Sequence, residues 1–286
     1  MKKYIPVLLF IFSLLSGCKE EEIIVPKVQT IQSERIVLIE DFTGVKCPNC
    51  PNAARQIAQL EDLYPGRVVA VAYHTNFLGD PITKPGFISK YDFRTPSGNQ
   101  LEEIMGFYLG KPAVTLNRKK YNPQDEFLLG QTDVLANIET EIQSKPVALI
   151  SITNTFNEGD RKLKSVITIT PRQSFDGAIR LHALVTESDI IDPQEDNTDY
   201  KKDYVHNHVF RQMLSDLNGD ALATSLQVGT PLTKTYEFIL PTEAGWWVAK
   251  NCSVVAFISD YNQKPEINGQ QLNVGYVLQA VQAKIK

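Results

Sequence analysis

The sequence DFTGVKCPNC, from Asp41 to Cys50, decides how the amino-terminal half of this chain folds. It follows the apolar run Arg35–Ile39, which is typical of a buried strand, and leads into residues 50–63, where apolar residues recur near helical spacing. Cys47 and Cys50 therefore lie between a strand and the first turn of a helix. Two thiols at this spacing can close a local disulfide at the mouth of the helix.

This position favours thiol chemistry at the cysteine pair. Unpaired N–H groups at a helix amino terminus stabilise a thiolate, and Lys46 adds a positive charge beside Cys47. We expect Cys47 to be the exposed nucleophile and Cys50 to resolve the mixed disulfide. A structural disulfide is the alternative, but closing so short a loop stabilises a fold by only roughly 2 kcal/mol. With no second cysteine pair, the sequence predicts neither a metal site nor a cofactor.

The amino terminus has the three parts of a bacterial export signal. Lys2 and Lys3 precede an apolar run at residues 4–15, which is shorter than the about 20 residues of a membrane-spanning helix. The sequence LSGC that follows resembles a lipobox. This resemblance implies cleavage after Gly17, acylation of Cys18 and anchoring to a membrane through the lipid. An ordinary secretory signal is the alternative.

A charged run, Lys19–Glu22, opens a tether that extends to Ser33. Such a run at a chain start is usually a solvated linker. This one also resembles the signal that carries some Bacteroidota lipoproteins across the outer membrane, which implies exposure at the cell surface. The net charge of the chain is −4, so it lacks the electrostatic footprint of a nucleic-acid-binding protein.

The sequence pattern changes near residue 146. Before it, strand and helix patterns alternate, which predicts an α/β layer with parallel pairing: a strand at 67–73, an insertion rich in Gly and Pro at 76–100, a helix at 101–108, a strand at 113–116 and a helix at 132–143. After it, every predicted element is a strand: 147–155, 163–170, 178–187, 235–240, 252–259 and 274–283. We therefore predict a signal at 1–17, a tether at 18–33, an α/β domain at 34–145 and a β-sandwich domain at 146–286.

The stretch 41–50 resembles the active-site segment of thioredoxins, and this resemblance covers about residues 34–145. The fold class expected is an α/β thioredoxin-like domain followed by an all-β, immunoglobulin-like sandwich. The resemblance implies that Asp41 is a buried acid that takes a proton from Cys50. It also implies that Pro112 is a cis-proline that presents a backbone edge to the substrate. Lys46 replaces the tryptophan of that family, so ordinary thioredoxin substrates are not implied.

A wider resemblance covers the chain after the predicted signal. The sequences CPNCP from Cys47, VHNHVFR from Val205, CSVVAF from Cys252 and GYVLQA from Gly275 look like the 28-kilodalton outer-membrane protein family of Bacteroidota. The resemblance implies an outer-membrane lipoprotein with a thioredoxin-like domain and a β-rich carboxyl-terminal domain. It implies no particular reaction.

Other polar and aromatic residues allow two interpretations each. His206 and His208 would share a strand face and could bind metal, but no third ligand is evident, which favours a polar pair that stabilises a loop. The acidic stretch 189–203 lacks the glycine of a calcium loop and is expected to be a solvated excursion. Trp246 and Trp247 could form an exposed binding patch, but one of the two is expected in the core. Cys252 opens an apolar strand and is expected to be a buried, inert thiol.

Two functions of different classes remain open. The first is thiol–disulfide exchange on exported proteins or peptides, with attack by Cys47, resolution by Cys50, proton relay by Asp41 and substrate orientation by Pro112. The second is a surface binding or adhesion lipoprotein, in which the fold is a scaffold and the disulfide is fixed. A fold does not carry a function by itself.

Overall fold

The computed structural model describes residues 34–106, 110–121, 131–242, 246–267 and 269–286, without the side chains of 131–136 and 267. The described residues form one compact unit. The predicted signal, the acylation site Cys18 and the whole of the predicted tether lie outside the described residues. No helix in the described ranges is long and apolar enough to cross a membrane.

The amino-terminal half alternates strands and helices. Its elements are β1 Val37–Thr43, α1 Cys50–Leu63, β2 Val68–His74, α2 Asn76–Gly79, α3 Pro96–Met105, β3 Ala113–Leu116 and α4 Gln131–Gln143. Strands β1 and β2 are parallel, as predicted, whereas β3 runs antiparallel to β1. Helix α1 has the predicted bounds, because Pro51 in its first turn favours initiation and an apolar face made by Ala53, Ile57 and Leu60 is buried.

The helix predicted at 101–108 begins earlier, at Pro96. Thr95 caps it, because its Oγ1 accepts a hydrogen bond from the Gly98 N–H at 3.0 Å, and Pro96 occupies the first turn, where its missing N–H has no helical partner. The segment predicted as an insertion at 76–100 therefore contains α2 and the first half of α3.

Strands dominate the carboxyl-terminal half, as predicted, together with a 3₁₀ turn at Ala249–Asn251. They are β4 Ala148–Asn157, β5 Lys162–Pro171, β6 Phe175–Glu187, β7 Ile190–Asp196, β8 Asp199–His206, β9 Val209–Met213, β10 Asp220–Leu226, β11 Leu232–Ile239, β12 Cys252–Asp260, β13 Glu266–Ile267, β14 Gln270–Gln271 and β15 Tyr276–Lys284. The expectation that the acidic stretch 189–203 is a solvated excursion is wrong. This stretch forms most of the β7–β8 hairpin, in which Asp192 and Gln194 are buried.

One eight-stranded sheet contains strands from both halves, in the order β15-β12-β6-β9-β2-β1-β3, with β10 also paired to β6. The halves meet where Ala72 of β2 pairs with Val209 of β9, and the Ala72 N–H donates to the His208 carbonyl at 2.8 Å. The change of pattern near residue 146 therefore does not separate the strands into different sheets. The three-stranded sheet β11-β5-β4 is formed by the carboxyl-terminal half alone.

Both faces of the large sheet are buried. On one face, Phe42, Tyr73, Phe210 and Phe257 belong to a single apolar cluster that draws on both halves. On the other face, the three-stranded sheet contributes residues such as Ile150 and Ile167 to a shared cluster with β6 and β12. The carboxyl-terminal strands thus form two packed sheets, and the amino-terminal strands extend one of them.

Candidate functional site

Cys47 and Cys50 form a disulfide at the start of α1, with their Cα atoms 5.4 Å apart. The loop that carries them connects β1 to α1, as the sequence predicts. Its turn is closed by the Cys47 N–H, which donates to the Gly44 carbonyl at 3.0 Å. The cysteine pair therefore lies at the carboxyl end of β1, beside the end of the parallel strand β2.

Neither cysteine is exposed in this disulfide-bonded form. Cys47 is 0 % exposed and Cys50 is 2 % exposed, so the expectation that Cys47 is an exposed nucleophile is wrong for this form. Chain segments pack against the loop from two directions. On one side, the Leu78 carbonyl accepts a hydrogen bond from the Lys46 N–H at 2.9 Å. On the other side lies the β7–β8 hairpin.

The hairpin binds the cysteine loop through hydrogen bonds to four of its carbonyl groups. The Glu195 N–H donates to the Val45 carbonyl at 2.9 Å, and the Asn197 N–H donates to the Pro48 carbonyl at 2.8 Å. The side-chain amide of Gln194 donates to the carbonyls of Gly44 and Cys47, each at 3.1 Å. Gln194 had no signal in the sequence, because its contacts lie about 150 residues away in the chain.

Asp41 is a buried carboxyl group on β1. One of its oxygens, Oδ1, has no hydrogen-bond partner among the described residues, and the side chain lines a cavity of about 30 Å³ together with Cys50. Such a volume has room for one water molecule. Burial raises the pKa of Asp41 to about 7, although the nearby Lys111 ammonium acts in the opposite direction. Asp41 is therefore poised to exchange a proton near neutral pH.

Lys111 and Pro112 lie beside the same strand end. The Lys111–Pro112 peptide bond is cis, the conformation that the thioredoxin resemblance implies, and β3 begins with Ala113, which pairs with Phe42 of β1. Sequence reasoning overlooked Lys111, although it directly precedes the predicted cis-proline.

The ammonium group of Lys111 connects three chain segments. Its Nζ donates to the carbonyls of Thr43 at 2.8 Å and Phe77 at 2.6 Å, and also to Thr75 Oγ1. Glu102 of α3 provides the opposite charge at 3.3 Å. Burial lowers the pKa of Lys111, and Glu102 partly offsets this effect. Lys111 thus fixes the end of β1, the loop after β2 and α3 around the cysteine loop.

Two histidines also line the cavity. His74 of β2 and His206 of β8 have ring centroids 5.6 Å apart, and the pKa of each is lowered by burial, to about 4 for His206. His206 Nε2 lies 3.2 Å from the Asp192 carbonyl, whereas His208 Nε2 lies 3.1 Å from Glu61 on α1. His206 and His208 therefore point to different partners. Within the described residues, no cluster of three or more His, Cys, Asp or Glu side chains could hold a metal ion.

The remaining sequence candidates lie in the core. Trp246 and Trp247 are both buried, and the Arg211 guanidinium lies over their rings at 3.3 and 4.3 Å. The prediction that one of them belongs to the core holds for both, so they do not form an exposed binding patch. Cys252 is buried, as predicted, and burial raises the pKa of its thiol to about 12, which keeps it protonated and unreactive.

Comparison with known families confirms the resemblance that the sequence suggests. The model of the family described as outer membrane protein Omp28 matches residues 98–277, which is 180 of the 286 residues. The chain belongs to the Omp28 family. The Omp28 match begins after Cys47 and Cys50, and it includes Pro112 and the whole β7–β8 hairpin. The family assignment therefore carries no statement about the cysteine pair.

One solved structure supports the fold of this Omp28-family protein. HBP35 of Porphyromonas gingivalis matches with a TM-score of 0.63 at 21 % identity, over 88 % of this chain and 76 % of its own. A protein from Agrobacterium tumefaciens matches at a TM-score of 0.47 and 14 % identity, over 89 % of this chain and 96 % of its own, a likeness too weak to interpret. No curated protein sequence matches the chain. At these identities the likeness to HBP35 concerns the fold alone.

Proposed function

We propose that this Omp28-family protein is a lipid-anchored outer-membrane protein that exchanges disulfides with exported proteins through Cys47 and Cys50. The observation that carries the proposal is the buried Asp41, which has an unpartnered oxygen, shares a cavity with Cys50 and has a pKa of about 7. A buried carboxyl group without a partner is costly to a fold. Its position beside a thiol that must gain and lose a proton gives it a chemical use.

The proposed reaction starts from the disulfide. A thiolate of the substrate attacks Cys47 Sγ, the Cys47–Cys50 bond breaks, and Cys50 leaves as a thiolate that takes a proton from Asp41 through the cavity. A second substrate thiolate then attacks the substrate sulfur of the mixed disulfide and releases Cys47. The substrate loses two electrons and forms a disulfide, and the protein becomes a dithiol. The reverse sequence reduces a substrate disulfide, with Cys47 as the nucleophile and Asp41 as the base for Cys50.

Lys111 and Pro112 support this reaction in the proposal. Lys111 holds the strand end and the neighbouring loop in place, and its charge prevents the pKa of Asp41 from rising further. Pro112, in its cis form, gives the substrate a backbone edge beside the cysteines. The lipid on Cys18 keeps the reaction at the outer membrane, with protein or peptide thiols and disulfides as partners.

The test is the reduction potential of the cysteine pair, together with a disulfide-exchange assay on insulin. We expect a potential within the range of exchange proteins, above about −300 mV, and turnover that Cys47→Ser abolishes and Cys252→Ala preserves. A potential below about −300 mV without turnover would identify an inert structural disulfide and overturn the proposal.

A second candidate is a surface binding protein that uses the fold as a scaffold. The observation in its favour is the complete burial of Cys47, which is typical of a structural disulfide. Protease treatment of intact cells shows on which side of the outer membrane the folded domain lies. Digestion of the folded domain from outside, combined with an inert cysteine pair, would support the scaffold over the exchange reaction.

A further inference from the structure

The β7–β8 hairpin contacts the cysteine loop in the manner of a bound peptide. Glu195 belongs to β7 and Asn197 to the turn that follows it, and their N–H groups donate to the carbonyls of Val45 and Pro48. An extended peptide that adds to an exposed backbone edge likewise donates from every second residue. The Gln194 amide completes this contact through the carbonyls of Gly44 and Cys47.

The base and the tip of the hairpin are held differently. At the base, Asp192 is fully buried and its carboxylate accepts a hydrogen bond from the Lys90 N–H at 2.8 Å. At the tip, residues 197–199 are exposed, and Arg55 of α1 forms a 3.5 Å ion pair with the half-buried Asp196. The register shifts between Asp192 and Gln194, which marks a β-bulge between base and tip.

The hairpin also has little support from other strands. Among the described elements, β7 and β8 pair only with each other. A two-stranded hairpin is marginally stable by itself in water, so its position depends on the contacts at its base and on the polar and aromatic contacts near its tip. An opening of the tip would break its hydrogen bonds to the loop and would also move Tyr200, whose ring lies 5.5 Å from that of Phe87, while the buried residues of the neighbouring apolar cluster stay packed.

We infer that residues 194–197 occupy the place of the substrate, and that an extended peptide segment of an incompletely folded protein displaces them to reach Cys47. This inference rests on the proposed exchange reaction and names its substrate class. The incoming strand offers backbone N–H groups to the carbonyls of Val45 and Pro48, and the hairpin tip swings about the bulge. A compact folded protein does not offer such a strand, so the closed hairpin selects against it.

The experiment uses the full chain with Cys18→Ser, Cys50→Ser and Cys252→Ala, which leaves Cys47 as its single thiol. The probe is a flexible synthetic peptide whose one cysteine carries a thionitrobenzoate group. Cys47 thiolate attacks the peptide cysteine, a mixed disulfide forms, and the coloured thionitrobenzoate anion leaves. We expect Gln194→Ala to accelerate this step by about tenfold or more. Gln212→Ala, a change of an exposed glutamine on β9, should leave the rate unchanged.

A second measurement covers the case in which Gln194→Ala fails to fold. We call the full chain whose single thiol is Cys47 the trap protein. Hydrogen exchange on the parent trap protein should show that the amides of Glu195 and Asn197 lose protection when the peptide is attached, while those of β12 keep it. Attachment at equal rates in the parent trap protein and its Gln194→Ala variant, or with both amides still protected, overturns the inference and leaves the exchange reaction intact. No mixed disulfide in either protein would overturn the exchange reaction and this inference together.

Discussion

At the scale of single residues, the chemistry of the site depends on two buried ionisable groups, of which Asp41 has one oxygen without a partner in the described part of the chain. Asp41 combines an unpartnered oxygen with a pKa of about 7, and Lys111 is a buried ammonium whose carbonyl and hydroxyl acceptors come from three separate positions of the chain. Such groups lower the stability of a fold unless the structure compensates them. Both groups lie beside the same disulfide, which indicates that this end of the sheet is specialised for chemistry and not for stability.

Because Asp41 is buried, we predict that the free energy of unfolding of this protein depends on pH. Its pKa is higher in the folded than in the unfolded protein, so the stability that comes from its protonated form is complete below about pH 4 and is lost as the pH rises to about 7. Asp41→Asn has no ionisable group there. Relative to the parent, it should therefore gain free energy of unfolding across this window, by roughly 4 kcal/mol at most.

Urea unfolding of the oxidised proteins at several pH values measures this difference. Comparing the two proteins at each pH removes the contribution of the buried histidines, whose lowered pKa values act in the opposite direction. Asp62→Asn, at an exposed position of α1, is the control and should follow the parent curve. A constant difference between Asp41→Asn and the parent from pH 4 to 8 would contradict the assignment of a raised pKa to Asp41.

At the scale of elements, the cysteine loop is positioned by its neighbours more than by its own residues. The short segment α2 lies so close to the loop that a Cβ atom on Gly44 would be 2.3 Å from the Leu78 carbonyl oxygen and 2.9 Å from the Gly79 nitrogen. Both atoms belong to the backbone, so neither can move as a flexible side chain would. Glycine is therefore required at position 44 for close approach.

This contact predicts that Gly44→Ala destabilises the protein by about 1–3 kcal/mol, because the loop and α2 must separate. Gly110→Ala is a matched control, since a Cβ atom there meets nothing within 4 Å. Urea denaturation of the two variants measures the difference. Equal midpoints for Gly44→Ala and Gly110→Ala would show that the loop and α2 do not pack as described.

At the scale of the whole molecule, the two halves of the chain depend on each other. Tyr73 of β2 packs against Phe210 of β9 with ring centroids 4.9 Å apart, and the buried Arg118, paired with Glu40, lies 4.9 Å over the ring of Phe257 on β12. The first described residues are also bound to the last strand, because Arg35 donates to the Val277 carbonyl at 2.9 Å. The amino-terminal half therefore completes its core with residues from the carboxyl-terminal half.

We accordingly predict that residues 34–145 do not fold by themselves. An isolated fragment would expose the apolar face of β2 and leave the Glu40–Arg118 pair partly solvated. Residues 34–286 should unfold in one cooperative transition, with amide exchange in β1 and β12 disappearing together. A fragment 34–145 with a cooperative urea transition and dispersed amide resonances would contradict this and would support two independent domains.

The site could be predicted in part from local sequence. The cysteine spacing before a helix and the resemblance of the segment 41–50 made Cys47, Cys50 and Asp41 candidates, and the resemblance also made Pro112 a candidate. The hairpin was not predicted because its strands are acidic and carry exposed residues, a pattern that also describes a solvated loop. Lys111 was not predicted because its acceptors belong to segments that are distant in sequence.

The sequence by itself determined the strand–helix–strand order around the cysteines, the all-strand character after residue 146, the burial of Cys252 and the membership in the Omp28 family. These features follow from periodicity, spacing and motifs, which are local properties of the chain. The tertiary structure decided that Cys47 is covered, that Gln194 binds its loop and that both halves share one sheet. Each of these features depends on contacts between residues that are far apart in the chain, and such contacts produce no pattern in the local sequence.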